Sequence, residues 1–101
     1  MQAHPKLCSE SIVKVSSAPL STELNGERVL LDPRSGRYFA LNPVGAVIWK
    51  TAAAPTSVHA ICAAIMREYE VDFENCLKDT MELIDSLFEA GLIEILDEKT
   101  A

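Results

Sequence analysis

The chain has 101 residues, 49% of them hydrophobic and 24% charged, with four glycines and five prolines. That composition describes one globular domain and excludes a collagenous, low-complexity or wholly disordered chain. Nine Lys and Arg against fifteen Asp and Glu leave a net charge of −6. An acidic chain repels phosphate, so the electrostatic basis of nucleic-acid binding is missing. No apolar run approaches the roughly 20 residues of a bilayer span. Met1-Gln2-Ala3-His4-Pro5-Lys6 also lacks the basic-then-apolar order of a signal peptide. The expectation is a cytoplasmic protein with neither a nucleic-acid nor a membrane partner.

Residues 1–20 read as an N-terminal arm, in which Ile12-Val13-Lys14-Val15 is either a short strand or part of the arm. The domain proper spans 21–96. Ser21–Leu24, the Asn25-Gly26 turn and Glu27–Leu31 form a hairpin, because a type I′ turn needs φ > 0 at both central positions. That register sets Glu23 opposite Arg28, a favourable cross-strand pair. Asp32-Pro33-Arg34-Ser35-Gly36 is the next turn, and Arg37-Tyr38-Phe39-Ala40-Leu41 a third strand with Phe39 and Leu41 on one face.

From Asn42 the apolar period changes from two to 3.6. Asn42 is a suitable N-cap and Pro43 a suitable first residue for a helix running to about Thr51. Thr56 or Ser57 caps a second helix with a single apolar stripe of Val58, Ile61, Cys62, Ile65, Met66 and Tyr69. The third helix, about Glu74 to Ala90, carries two adjacent stripes: Leu77, Met81, Ile84 and Phe88, then Cys76, Thr80, Leu83 and Leu87, with Asp79 at the border. Their combined arc is wider than packing on one small sheet requires. Gly91 closes the helix; Leu92–Leu96 leaves it extended, and residues 97–101 read as a frayed tail. The fold class is α+β, a winged-helix-like domain of a three-stranded antiparallel meander followed by three helices.

Little in this chain could perform catalysis. Cys8, Cys62 and Cys76 form no Cys-x-x-Cys pair, and His59 with Cys62 offers two metal ligands where zinc needs three or four. No nucleophile–base pair or phosphate loop is present, so no enzyme activity, cofactor or metal is expected. Asp85-Ser86-Leu87 matches the attachment triplet of acyl carrier proteins. Ser86, however, lies well inside a helix, where a carrier serine begins one. A winged-helix DNA-binding regulator is the other alternative, opposed by the charge and by the acidic third helix.

The stretch Leu30 to Trp49, with its Tyr38-Phe39-Ala40-Leu41-Asn42 strand end and small residues opening the first helix, resembles the PqqD-like proteins. So does Asp79 followed by the Leu-rich helix ending Gly91-Leu92-Ile93. These are precursor-peptide recognition elements of ribosomal peptide natural product pathways, and the chain looks most like the stand-alone recognition protein of lasso-peptide clusters. Thr80 stands where an apolar residue is common in the family. The resemblance implies a peptide chaperone that binds a precursor's leader as an added strand on Arg37, Tyr38, Phe39, Ala40 and Leu41. It further implies a groove walled by Cys76, Asp79, Thr80, Leu83 and Leu87 of the third helix. A leader peptidase, cyclase or radical-SAM modifying enzyme would receive the peptide. The residues themselves agree in kind: a terminal strand of a meander has a free edge, and an unused apolar stripe can wall a groove. The same stripe could instead pack on Leu92–Leu96 or form a homodimer with a second copy.

Overall fold

The computed structural model describes residues 7–17, 19–25 and 27–96. The first six residues of the arm, Gly26 of the hairpin turn and the tail at 97–101 lie outside the described residues. The elements are β1 (Ile12–Val15), β2 (Leu20–Leu24), β3 (Glu27–Asp32), β4 (Arg37–Leu41), α1 (Pro43–Thr51), β5 (Thr56–Ser57), α2 (Val58–Glu68), α3 (Phe73–Glu89) and β6 (Ile93–Ile95).

β2, β3 and β4 form the antiparallel meander. Asn25 takes φ 56°, as the tight turn requires. Glu23 pairs with Arg28 across the hairpin, their charged groups 3.9 Å apart. The β3–β4 turn is organised by one buried carboxylate. Asp32 accepts from the Arg34 N–H at 3.2 Å and the Ser35 hydroxyl at 3.1 Å, while Gly36, at φ 75°, donates to the Asp32 carbonyl. Burial pushes the Asp32 carboxyl up, but those donors and the Arg34 guanidinium outweigh it and hold it below its ordinary value.

A second small sheet, in the order β5-β1-β6, closes the other side of the molecule. The segment Ile12–Val15 is therefore a strand. It pairs with Thr56 and Ser57 on one edge and with Ile93–Ile95 on the other. Val13 and Ser11 are fully buried, and the Ser11 carbonyl accepts the Val58 N–H at 3.0 Å. From Leu7 onward the expected arm is built into the domain.

Two of the three helix caps, Asn42 and Ser57, are the expected ones. Asn42 caps α1, Ser57 caps α2 and Asp72 caps α3, each accepting from the backbone N–H three residues on. The core lies between the sheets and helices, with Leu30, Ile48, Ile61, Ile65, Ile84 and Leu92 almost wholly buried. Met66 and Tyr69 depart from the expected α2 stripe and are exposed. α2 ends at Glu68, and Tyr69 turns to extended backbone (φ −132°, ψ 148°), which takes it out of the helical period. Met66 sits at the stripe's edge, about 80° around the helix from Val58.

Candidate functional site

α3 is the longest helix, and the way it divides its faces decides what can be bound. Its buried residues are Cys76, Thr80, Ile84 and Leu87, which fall within an arc of about 80° at 100° per residue. Three of the expected groove residues therefore belong to the core: Cys76, Thr80 and Leu87 are each at most 3% exposed. The reason is the close crossing of α2. The Cys76 Sγ lies 3.9 Å from the Cys62 carbonyl oxygen and 3.9 Å from the Thr80 Oγ1. Small side chains at that crossing let the two helices approach. Burial, aided by the neighbouring Cys76, outweighs the Thr80 hydrogen bond and raises the Cys62 thiol to about 11, so it stays protonated.

Next to this core arc, on one flank of α3, come Leu83, Asp79, Ser86 and Glu82. Together with Asn42, Val44 and Ile48 from the start of α1 they line a cleft of about 470 Å³. Gly45 makes the approach possible. A β-carbon there would stand 3.3 Å from the Leu83 Cδ2, the Leu41 Cβ and the Asn42 Oδ1. The end of β4, the first turn of α1 and the middle of α3 thus meet at one point, with the cleft opening beside it.

β4 leads directly into that point through Leu41 and Asn42. It is an outer strand of its sheet, so one edge has no strand partner within the sheet. Leu41 is buried and Phe39 half-buried, while Arg37, Tyr38 and Ala40 are exposed; Tyr38 is 71% exposed. The Arg37 guanidinium lies 5.3 Å from the Phe39 ring centroid, a cation–π contact that holds it along the strand. The opposite edge strand, β2, is exposed at every residue.

A sequence profile described as "Coenzyme PQQ synthesis protein D (PqqD)" matches residues 27–93, about two-thirds of the chain. The chain belongs to the PqqD family. Two solved structures support this membership. One, TbiB1 in complex with the TbiA(beta) leader peptide, is 32% identical with a TM-score of 0.72, covering 87% of this chain and 98% of that one. The other, lasso peptide synthetase B1 complexed with the leader peptide, is 28% identical with a TM-score of 0.73, covering 81% and 96% respectively. No curated protein sequence matches significantly.

Of the expected site residues, the structure brings Asp79 and Leu83 to the cleft and sets Arg37–Leu41 along the strand that ends there. Five cleft residues were not expected there: Asn42, Val44, Ile48, Glu82 and Ser86. Asp79, Glu82, Leu83 and Ser86 do recur at helical spacing, but three of the four are polar and carry no apolar signal. Ser86 sits within α3, as its mid-helix position implied. Among the described residues, no group of three or more His, Cys, Asp or Glu is placed to hold a metal ion. No helix among them is long and apolar enough to cross a membrane.

Proposed function

We propose that this PqqD-family chain is a non-catalytic adaptor. It captures the leader of a ribosomally made precursor peptide as a strand added to β4, and presents it to a modifying or leader-cleaving enzyme. The observation that carries this reading is the free edge of β4 ending at the cleft between α1 and α3. Backbone N–H and C=O groups of Arg37–Leu41 would hold an extended peptide without regard to its sequence, and the cleft would select its side chains. Val44 and Leu83 offer the apolar contact, while Asp79 and Glu82 favour a cationic or N–H-bearing neighbour. The complexes formed by the two structural relatives support the same reading. The two cleft carboxylates repel phosphate, so DNA binding is not favoured. The receiving enzyme would be a leader peptidase, a cyclase or a radical-SAM enzyme, in the cytoplasm where the precursor is made.

The test is a titration with the leader of the nearest encoded short precursor, followed by amide shifts. Changes should concentrate on Arg37–Leu41 and on Asp79–Ser86. Leu83→Glu should weaken binding by about tenfold or more, because its charge would be desolvated against an apolar anchor without a partner. Shifts confined to α2 and β1, with β4 and α3 silent, would refute the site.

A further inference from the structure

Two contacts fix how α3 lies along β4. At the Leu41 end, a β-carbon on Gly45 would stand 3.3 Å from both the Leu41 Cβ and the Leu83 Cδ2. Before the other end of the strand, a β-carbon on Gly91 would stand 2.8 Å from the Arg34 Nη2. α3 therefore runs opposite to β4. Leu83 to Gly91, just past the helix, is about 12 Å, and Leu41 back to Arg37 is about 14 Å, so helix and strand flank the leader site over a matched length. The two ends differ in charge. Arg37 shares the Phe39 and Leu41 face of β4 by alternation, and its guanidinium lies 5.3 Å from the Phe39 centroid. Asp79 stands one helical turn before Leu83, about 6 Å past the Leu41 end, with Glu82 in the same cleft. Arg37 and Asp79 are both exposed, and among the described residues neither has an ion-pair partner. Arg34 already faces carboxylates of its own domain, Asp32 at 3.5 Å and Glu94 across a shared pocket.

We propose that these two ends read charge in the leader: the captured segment carries a Lys or Arg at the Asp79 end and, about six residues later, an Asp or Glu at the Arg37 end. The inference rests on the leader-binding reading above. The spacing follows from about 20 Å between the ends and about 3.4 Å per extended residue. An even spacing sets both charged side chains on the face that turns to α3, with the apolar anchors between them on that same face. The order follows from the pairing. Antiparallel addition gives the stronger ladder, and a strand antiparallel to β4 enters at Leu41 and leaves at Arg37, so the basic residue comes first. Backbone pairing alone does not choose a register, because a shift of two residues restores the same hydrogen bonds and the same facing. Charge at both ends removes that freedom. A slipped leader loses both pairs, and a reversed one meets like charge at each end.

The experiment titrates the full chain into the fluorescently labelled leader of the nearest encoded short precursor and follows anisotropy. At about 0.01 M salt, where the screening length is about 30 Å, Arg37→Gln should weaken binding by about twofold to fivefold and Asp79→Lys by about threefold to tenfold. Near 1 M, where that length is about 3 Å, both losses should vanish. Arg37→Lys and Asp79→Glu keep the charges and should bind within about twofold of wild type. Changing one leader Lys or Arg to Glu should restore binding to Asp79→Lys. Changing one leader Asp or Glu to Gln should make binding indifferent to Arg37→Gln, and that position should follow the first by about six residues. Unchanged affinity with either charge-altering variant overturns the proposal, as does a loss that persists near 1 M salt or appears with the charge-keeping variants. So does a loss that no leader substitution cancels, or cancelling positions that are adjacent or in the reverse order. Wild-type protein that fails to bind leader refutes the function reading instead.

Discussion

Gly45→Ala is the substitution that best separates helix energetics from site geometry. In an exposed helix interior, replacing Gly by Ala gains about 1 kcal/mol from propensity. Gly45 is buried in α1, where an added methyl would meet three atoms at 3.3 Å, each tighter than an ordinary carbon contact. Two of the three are anchored. The Leu41 Cβ is fixed to the end of β4, and the Asn42 Oδ1 is committed to the Gly45 N–H at 2.7 Å as the helix cap. Only the Leu83 Cδ2 can swing, and its escape leads into the cleft. Overpacking of this kind costs about 1–3 kcal/mol, so the net change should run from about zero to 2 kcal/mol of destabilisation. For a domain of this size, about 1 kcal/mol moves Tm by about 4–8 °C. Trp49, 8% exposed, reports the transition by its fluorescence. Leader affinity should fall by several-fold even where the variant is fully folded, because the displaced Leu83 narrows the cleft. A Gly45→Ala protein about 1 kcal/mol more stable than wild type, with unchanged leader affinity, would refute the claim that Gly45 exists for close approach.

Thr80→Val should leave leader affinity untouched and stability unchanged or raised, because the buried hydroxyl has only sulfur for company; weakened binding would return Thr80 to the groove. A thiol-reactive dye should label one cysteine in the native protein, the exposed Cys8, and reach Cys62 and Cys76 only on unfolding; a second native equivalent counts against the buried assignment. Asp32 and Asp72 both have carboxyls held below the ordinary value of 3.8, Asp72 mainly by the Asn75 side chain and N–H. Their stabilisation is full above the unfolded value and disappears as pH falls through the lower folded values. The urea midpoint should therefore drop below about pH 4, and the Asp32→Asn, Asp72→Asn double variant should show a flatter profile. A midpoint that rises on acidification would contradict that sign.

Elements specified by neighbouring residues were legible in the sequence, and elements specified by distant ones were not. Asn25-Gly26 and Asp32–Gly36 carry their turn chemistry locally, so the meander and the Glu23–Arg28 register could be read directly. Asn42-Pro43 marks the start of α1 in the same way. The second sheet joins strands of four, two and three residues across some 80 positions, and nothing local in Ile12–Val15 names Ile93–Ile95 as its partner. α3 poses a different problem. Periodicity showed an apolar arc too wide for one contact, but it could not say which part faced the core. The resemblance to the PqqD-like proteins placed Cys76, Thr80 and Leu87 in the groove wall, which left Leu77, Met81 and Phe88 for the core. The close crossing of α2 reverses that order, because only small side chains fit where Cys76 approaches the Cys62 carbonyl. Asp79 was legible as a border residue because a charge marks the edge of an apolar arc. Ser86, one turn further along the same flank, becomes a cleft residue only when Gly45 lets α1 close against Leu83. That contact joins residues 38 positions apart, and no reading of either segment alone contains it.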